Sequence, residues 1–178
     1  MTLSVKRIAG DKGLRLQAFA LAAVGLFLSA CASASEPARE ALLVPLAISV
    51  DDVWPNAAAR NQIETATQRL AECGITVMPD DRAADRLALV ASIGATEGGT
   101  IEGTTYPNEA GGRTALVAWS GPDGGVLEHK QTAAHELGHV LGLGHAGLHA
   151  IDMMAPYGCE TCRFTARQCS VMRSVAGQ

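Results

Sequence analysis

Basic residues are scarce in this sequence. Its 178 residues contain 14 Lys and Arg against 18 Asp and Glu, which gives a net charge of −4. Affinity for nucleic acid depends on cations that neutralise phosphates, so this balance argues against a nucleic-acid partner. Internal repeats of the solenoid type are also absent. The length suits one domain with a core of its own, and the 48% apolar and 18% charged residues are those of an ordinary globular protein.

The N-terminus has the layout of a secretory signal peptide. Residues 16–28 are apolar and are followed by small residues at 29 and 30; the basic residues ahead of them are Lys6, Arg7, Lys12 and Arg15. The apolar run is short for a helix that spans a membrane, so removal is expected in preference to retention as an anchor. Residues 1–30 are therefore interpreted as a lipoprotein signal peptide.

A cysteine closes this segment. Residues 28–31 read Leu-Ser-Ala-Cys and resemble the bacterial lipobox, in which the cysteine, here Cys31, becomes the lipidated first residue of the mature chain. Ala32 stands where an aspartate would favour retention in the inner membrane. The expectation is an exported protein, lipid-anchored to the outer membrane on its periplasmic face or at the cell surface. An ordinary signal peptide cut near Ala34 is the alternative. Residues 31–40 are interpreted as a tether.

Residues 41–178 are predicted to form one α+β domain. Apolar runs with β-branched residues predict strands at 41–50, 75–78, 86–93 and 113–119, with a short strand near 104–106. Helical spacing predicts helices over 57–73 and 128–141, and Thr165 to Gln168 fits a capping box that begins a final helix. The expected architecture is a twisted, mixed but mostly parallel sheet with an active-site helix and a small C-terminal lobe that ends in a helix.

Three histidines lie close together in the predicted second helix and just after it. Residues 135–145 read His-Glu-Leu-Gly-His-Val-Leu-Gly-Leu-Gly-His. Helical residues four apart lie about 40° from one another around the axis, so His135 and His139 point at one metal ion. Gly142 can adopt the left-handed conformation that ends a helix, which lets His145 reach the same ion. Three neutral imidazoles leave one tetrahedral position open, as in catalytic zinc sites.

Glu136 follows the first of these histidines. In other His-Glu-x-x-His sites this glutamate faces the open position of the metal. There it can take a proton from the metal-activated water, whose pKa falls from about 15.7 to about 7, and pass it to the leaving amine. The expected reaction is hydrolysis of a peptide bond without a covalent enzyme intermediate.

The extended motif resembles that of the metzincin zinc proteases, which also carry a methionine turn beneath the metal. Residues 151–157 read Ile-Asp-Met-Met-Ala-Pro-Tyr. Matched to the Met-x-Pro form of the matrixins, the turn methionine is Met154 and the proline is Pro156; Met153 is the alternative. The resemblance implies a metzincin-like (zincin) fold over most of residues 41–175.

In such folds the strand before the active-site helix is the sheet edge that holds the substrate as an added antiparallel strand. The resemblance assigns this role to Thr114, Ala115, Leu116, Val117, Ala118 and Trp119. It also makes residues 156–158 a wall of the pocket for the residue after the scissile bond.

One zinc ion is expected. Matrixins bind a second, structural zinc through upstream histidines, but this chain has no histidine before His129. His129 is interpreted as a solvated helix residue, and His149 is not expected to replace a ligand. Oxygen ligands for Ca²⁺ are present without a diagnostic spacing, so a solvated acidic face is the preferred interpretation of Asp80, Asp81, Asp85, Glu97, Glu102 and Glu109.

Four cysteines follow Cys31, namely Cys73, Cys159, Cys162 and Cys169. An even number in an oxidising compartment favours two disulfides over a four-cysteine zinc site. Three connectivities are open. Because Cys73 lies on the inner face of the first predicted helix and Cys169 on the final helix, a bridge between these two is the preferred hypothesis.

Together these features predict a monomeric, lipid-anchored zinc endopeptidase that acts on a peptide or protein substrate. One alternative is a lipid-anchored binding protein that uses the zinc site to hold a partner without turnover. The other is an aminopeptidase whose third ligand is a downstream glutamate, and His145 argues against it.

Overall fold

The computed structural model of the protein describes residues 40–94, 102–120, 131–147, 151–156 and 161–178. The predicted signal peptide, Cys31 and the tether up to residue 39 lie outside these residues. So do His129, His149 and Cys159, and residues 157 and 158 of the predicted pocket wall.

Five strands form a mixed sheet in the order β2-β1-β3-β5-β4. Their bounds are Leu42–Val50 for β1, Ile75–Pro79 for β2, Arg86–Ser92 for β3, Gly103–Pro107 for β4 and Arg113–Ser120 for β5. The pairs β1–β2, β1–β3 and β3–β5 are parallel, and β4 is antiparallel to β5. The prediction of an α+β domain with a mostly parallel sheet is confirmed.

Three helices accompany the sheet: α1 spans Asn56–Glu72, α2 spans Thr132–Val140 and α3 spans Ala166–Ala176. Helix α1 buries Ala59, Gln62, Ala66 and Leu70 at helical spacing. Helix α2 packs against α1, β4 and β5. The core lies between these two helices and the side chains that alternate along one face of the sheet, such as Leu87 and Leu89 of β3. No helix among the described residues is long and apolar enough to cross a bilayer.

The prediction that residues 114–119 form the sheet edge is wrong. Strand β5, which contains them, pairs with β3 on one side and with β4 on the other. The cause is a tight turn at 108–112, where the Asn108 side chain accepts hydrogen bonds from the backbone N–H groups of Ala110 and Gly112. This turn folds β4 back along β5. Among the described strands, β4 is therefore the outer one on this side of the sheet.

A disulfide and a side-chain hydrogen bond attach the C-terminal helix to the rest of the fold. The capping box of Thr165 and Gln168 that begins α3 is confirmed. The predicted disulfide between Cys73, at the end of α1, and Cys169 in α3 is also confirmed. The Arg173 guanidinium donates to the backbone oxygen of Gly74 at 2.6 Å. Cys162 is disulfide-bonded as well.

Removing the Cys73–Cys169 disulfide is expected to destabilise the domain. The bridge joins residues 96 positions apart, and closing a loop of that length in the unfolded chain corresponds to about 4 to 5 kcal/mol in the chain-entropy model. We expect the double variant Cys73→Ala/Cys169→Ala to unfold on the order of 10 °C below the wild type. Thermal unfolding monitored by circular dichroism checks this. A Tm equal to that of the wild type would contradict the structural role given to the bridge.

Candidate metal centre

The ring nitrogens of three histidines converge at the C-terminal end of α2. His135 and His139 lie one turn apart, with their Nε2 atoms 3.2 Å from each other. Gly142 has φ +87°, as expected for a glycine that ends the helix. The chain then turns, and the Nε2 atom of His145 lies 3.1 Å from that of His139. The structure therefore brings together the three histidines that the motif predicted.

Two backbone carbonyls orient the rings of His135 and His139. Nδ1 of His135 lies 2.7 Å from the oxygen of Met153, and Nδ1 of His139 lies 2.8 Å from the oxygen of Leu143. Because a carbonyl oxygen can only accept, each Nδ1 must donate its N–H. The Nε2 lone pair of each neutral ring is then directed at the shared centre, which is the arrangement that outer hydrogen bonds give to metal-binding histidines.

The distances fit a metal ion. Metal–nitrogen bonds of about 2.0–2.1 Å in a tetrahedral site separate the ligand nitrogens by about 3.3 Å, close to the 3.1 and 3.2 Å found here. Nitrogen lone pairs facing one another at this distance repel unless a cation lies between them. His, Cys, Asp and Glu are the side chains that could supply ligand atoms. Within the described ranges, one group of three or more of them brings its ligand atoms within 4.8 Å of one another, namely His135, His139 and His145. These three residues could hold a metal ion.

The segment 151–156 lies beneath the histidines. Met154 is fully buried, and a Cβ atom added at Gly138 would lie 2.6 Å from its sulfur. Only glycine at this position lets α2 approach so closely. Met153 supplies the carbonyl that orients His135, and the backbone N–H of Ala146 donates to the oxygen of Met154 at 2.8 Å. The side chain of Met154, one of the two candidate turn methionines, thus packs against Gly138 of α2. Pro156 follows in the same turn.

Glu136 is held between α2 and β4. Only 4% of the residue is exposed. The Thr105 hydroxyl of β4 donates to its Oε2 atom at 2.7 Å. A Cβ atom added at Gly103 would lie 2.5 Å from its Oε1 atom, so this strand passes directly over the carboxylate.

A cavity of about 350 Å³ opens beside these groups. It is lined by residues 103–107 of β4 and by Arg113, Glu136, His139, Leu143 and His145. The Arg113 guanidinium donates to the backbone oxygen of His139, which links the β4–β5 hairpin to the last turn of α2. Residues 103–107 thus occupy the position beside the site that was predicted for residues 114–119. A short strand near 104–106 was the only sequence signal for them, and nothing in the sequence pointed to Thr105 or Arg113.

Burial shifts the pKa values of three side chains in the site. It raises the pKa of Glu136 to about 7, although the Thr105 hydrogen bond opposes this. Burial also lowers the pKa of His135 to about 4, against the opposing effect of the bond to Met153. It lowers the pKa of His139 too, against the effect of the bond to Leu143. Neutral imidazoles are the form that binds a metal, so these shifts favour binding at neutral pH.

The raised pKa of Glu136 predicts that its contribution to the stability of the metal-free protein depends on pH. The pKa of this carboxyl rises from 4.5 to about 7 on folding, so its contribution to stability is complete below pH 4.5 and is lost as the pH rises through 7. Glutamine at this position cannot ionise. We expect metal-free Glu136→Gln to gain stability over the metal-free wild type as the pH rises through this range, by up to about 3 kcal/mol.

Denaturant unfolding of both proteins at about pH 5 and about pH 8 checks this difference. His135 has a lowered pKa, so its own contribution is lost as the pH falls from 6.5 through about 4. This contribution is common to both proteins and cancels. A stability difference between them that does not change with pH would contradict the buried, proton-binding state of Glu136.

Neither a protein-family model nor a curated protein matches this sequence. The function is therefore inferred from the residues of the site and their geometry. The strongest of these features are the convergent histidines and the buried glutamate that follows the first of them.

Proposed function

We propose that this protein is a zinc-dependent endopeptidase of the metzincin type, with a matrixin-like methionine turn. The observation that carries the proposal is the convergence of His135, His139 and His145 beside a cavity that also contains the buried carboxylate of Glu136. A structural metal site would need neither the cavity nor the glutamate. The mixed sheet, the helix that bears two of the histidines and the turn at Met154 also support the metzincin type.

Zinc is the metal that the donor set favours. Three neutral imidazoles suit zinc, and three protein ligands with one open position are typical of its catalytic sites. When bound, zinc supplies a Lewis acid that polarises a carbonyl and lowers the pKa of water to about 7.

Glu136 is the proton carrier in this proposal. A carboxylate beside the open position of the metal can accept a proton from the attacking water and also give it back. Its carboxylate would take the proton from the attacking water and deliver it to the leaving amine. The low exposure of the residue keeps bulk water from competing for that proton.

Strand β4 supports a peptide as the substrate. Its register with β5 runs from Gly103↔Val117 to Pro107↔Arg113, and no other described strand pairs with its outer edge. Because residues 103–107 also line the cavity, an extended peptide paired to this edge would pass beside the histidines. Strand β4 therefore takes the substrate-binding role that the sequence assigned to residues 114–119.

The leader sequence supports the proposed location. The lipobox-like residues 28–31 favour export and lipid attachment at Cys31, and hence action outside the cytoplasm on a peptide or protein. The disulfide between Cys73 and Cys169 agrees with an oxidising compartment.

Cleavage of a peptide library by the purified protein tests the proposal. We expect internal cleavage that a chelator abolishes and that added zinc restores. Zinc binding without any cleavage would instead favour a lipid-anchored binding protein. Release of N-terminal residues alone would favour an aminopeptidase.

A further inference from the structure

One hydroxyl from the outer strand contacts the Glu136 carboxylate. Thr105 Oγ1 donates to Glu136 Oε2 at 2.7 Å, and it lies 3.2 Å from the backbone oxygen of the same residue. The shorter contact, to an acceptor that carries charge when ionised, is the stronger of the two. Thr105 and Glu136 are 31 positions apart in the sequence. The contact therefore depends on how β4 packs against α2.

The surroundings of Glu136 restrict where its carboxylate can go. The Gly103 backbone approaches so closely that an added Cβ atom would lie 2.7 Å from Glu136 Cγ and 2.8 Å from Thr132 Cγ2. Such contact limits the stem of the side chain, but the terminal carboxylate torsion of a glutamate is broad and is not fixed by packing alone. A directional hydrogen bond is what selects one orientation. In the part of the chain that the structure describes, Thr105 is the side chain that donates a hydrogen bond to this carboxylate.

We propose that Thr105 is a positioning residue that aims the Glu136 carboxylate from the strand that binds the substrate. The inference rests on the proposed function and deepens it. In this role Thr105 acts through the Glu136 carboxylate, to which it donates, and not directly on the substrate. The backbone of Thr105 belongs to β4. Pairing of a peptide with the edge of β4 would therefore fix the position of the strand and, with it, the position of the Thr105 hydroxyl. Substrate binding and the orientation of the proton carrier would then depend on the same five residues, 103–107.

Two substitutions separate the hydroxyl from the shape of the side chain. Thr105→Val keeps the branched form and the strand preference but removes the donor. Thr105→Ser keeps the donor and removes a methyl group. Neither substitution replaces one of the three histidines. The zinc content of both variants is therefore expected to equal that of the wild type.

The first measurement needs no activity. Crystal structures of the metal-free wild type and both variants are expected to show the Glu136 carboxylate displaced or spread over several orientations in Thr105→Val. In Thr105→Ser the carboxylate is expected to keep the position that it has in the wild type. If the carboxylate has the same single position in Thr105→Val as in the wild type, the inference is overturned, whatever the activity of the protein.

The second measurement is steady-state kinetics on a cleaved peptide. We expect kcat of Thr105→Val to fall by about 10- to 100-fold, as for other residues that orient a catalytic group, with KM little changed. Serine at 105 is expected to restore most of kcat. A rise in KM at constant kcat, or equal losses in the two variants, would overturn the inference in favour of a purely structural role for β4. If the crystals show the expected displacement but the wild type cleaves no peptide, the positioning stands and the proposed function fails.

Discussion

Replacing Glu136 by glutamine is expected to lower kcat for peptide hydrolysis by about 100- to 10,000-fold, the usual contribution of a general base. Glutamine has nearly the same shape and still fits under Gly103, but its amide cannot take up a proton. The three histidines are untouched, so zinc binding and KM are expected to stay near the wild-type values. Stopped assays on a fluorogenic peptide, with zinc content measured on the same samples, check this result.

The control for this prediction is a variant of similar chemistry away from the histidines. Glu64 of α1 is exposed, so Glu64→Gln is expected to keep wild-type activity. Glu136→Gln with wild-type activity would show that another group carries the proton. Loss of zinc together with activity would mean that Glu136 supports the metal and not the reaction.

Removing His145 is expected to weaken zinc binding by more than about 100-fold, because residues that merely orient a ligand already contribute about 10- to 100-fold. His135 and His139 lie on one rigid helix and would remain as a two-ligand site. His145 is exposed and lies beyond the end of α2, so His145→Ala creates no cavity in the core. The fold is therefore expected to persist while the affinity for zinc falls. Competition with a chromophoric chelator measures that affinity.

Two other histidines serve as matched controls. His129→Ala and His149→Ala remove the same side chain at positions that the sequence does not predict to be ligands, and both are expected to bind zinc like the wild type. An unchanged affinity for zinc in His145→Ala would show that His145 is not the third zinc ligand. It would also reopen the aminopeptidase alternative, in which a downstream glutamate completes the metal site.

The local part of the site was predictable from sequence because helix geometry determines it. Spacing alone placed His135 and His139 on one face of α2, and the left-handed Gly142 brought His145 back to them. The capping box at Thr165 was predictable for the same reason, since it involves residues three apart. The Cys73–Cys169 bridge is a long-range contact, but each cysteine was expected on a helix face directed at the core.

The order of the last two strands was not predictable in the same way. Strand β5 directly precedes α2 in sequence and is therefore the strand predicted to form the edge, whereas the turn at 108–112 places β4 outside it. This arrangement depends on strand pairing and not on the apolar pattern of either strand. The Thr105–Glu136 contact follows from that pairing, because it places β4 against α2. The sequence therefore predicted which histidines come together but not which strand covers the glutamate.

The zinc content of purified protein, measured together with its peptide cleavage, tests the central claim most directly. The geometry of His135, His139 and His145 predicts one zinc ion per chain, with activity lost on chelation and recovered in proportion to the zinc restored. A chain that binds no zinc at these histidines, or one that cleaves peptides equally well after its metal has been removed, would contradict the account.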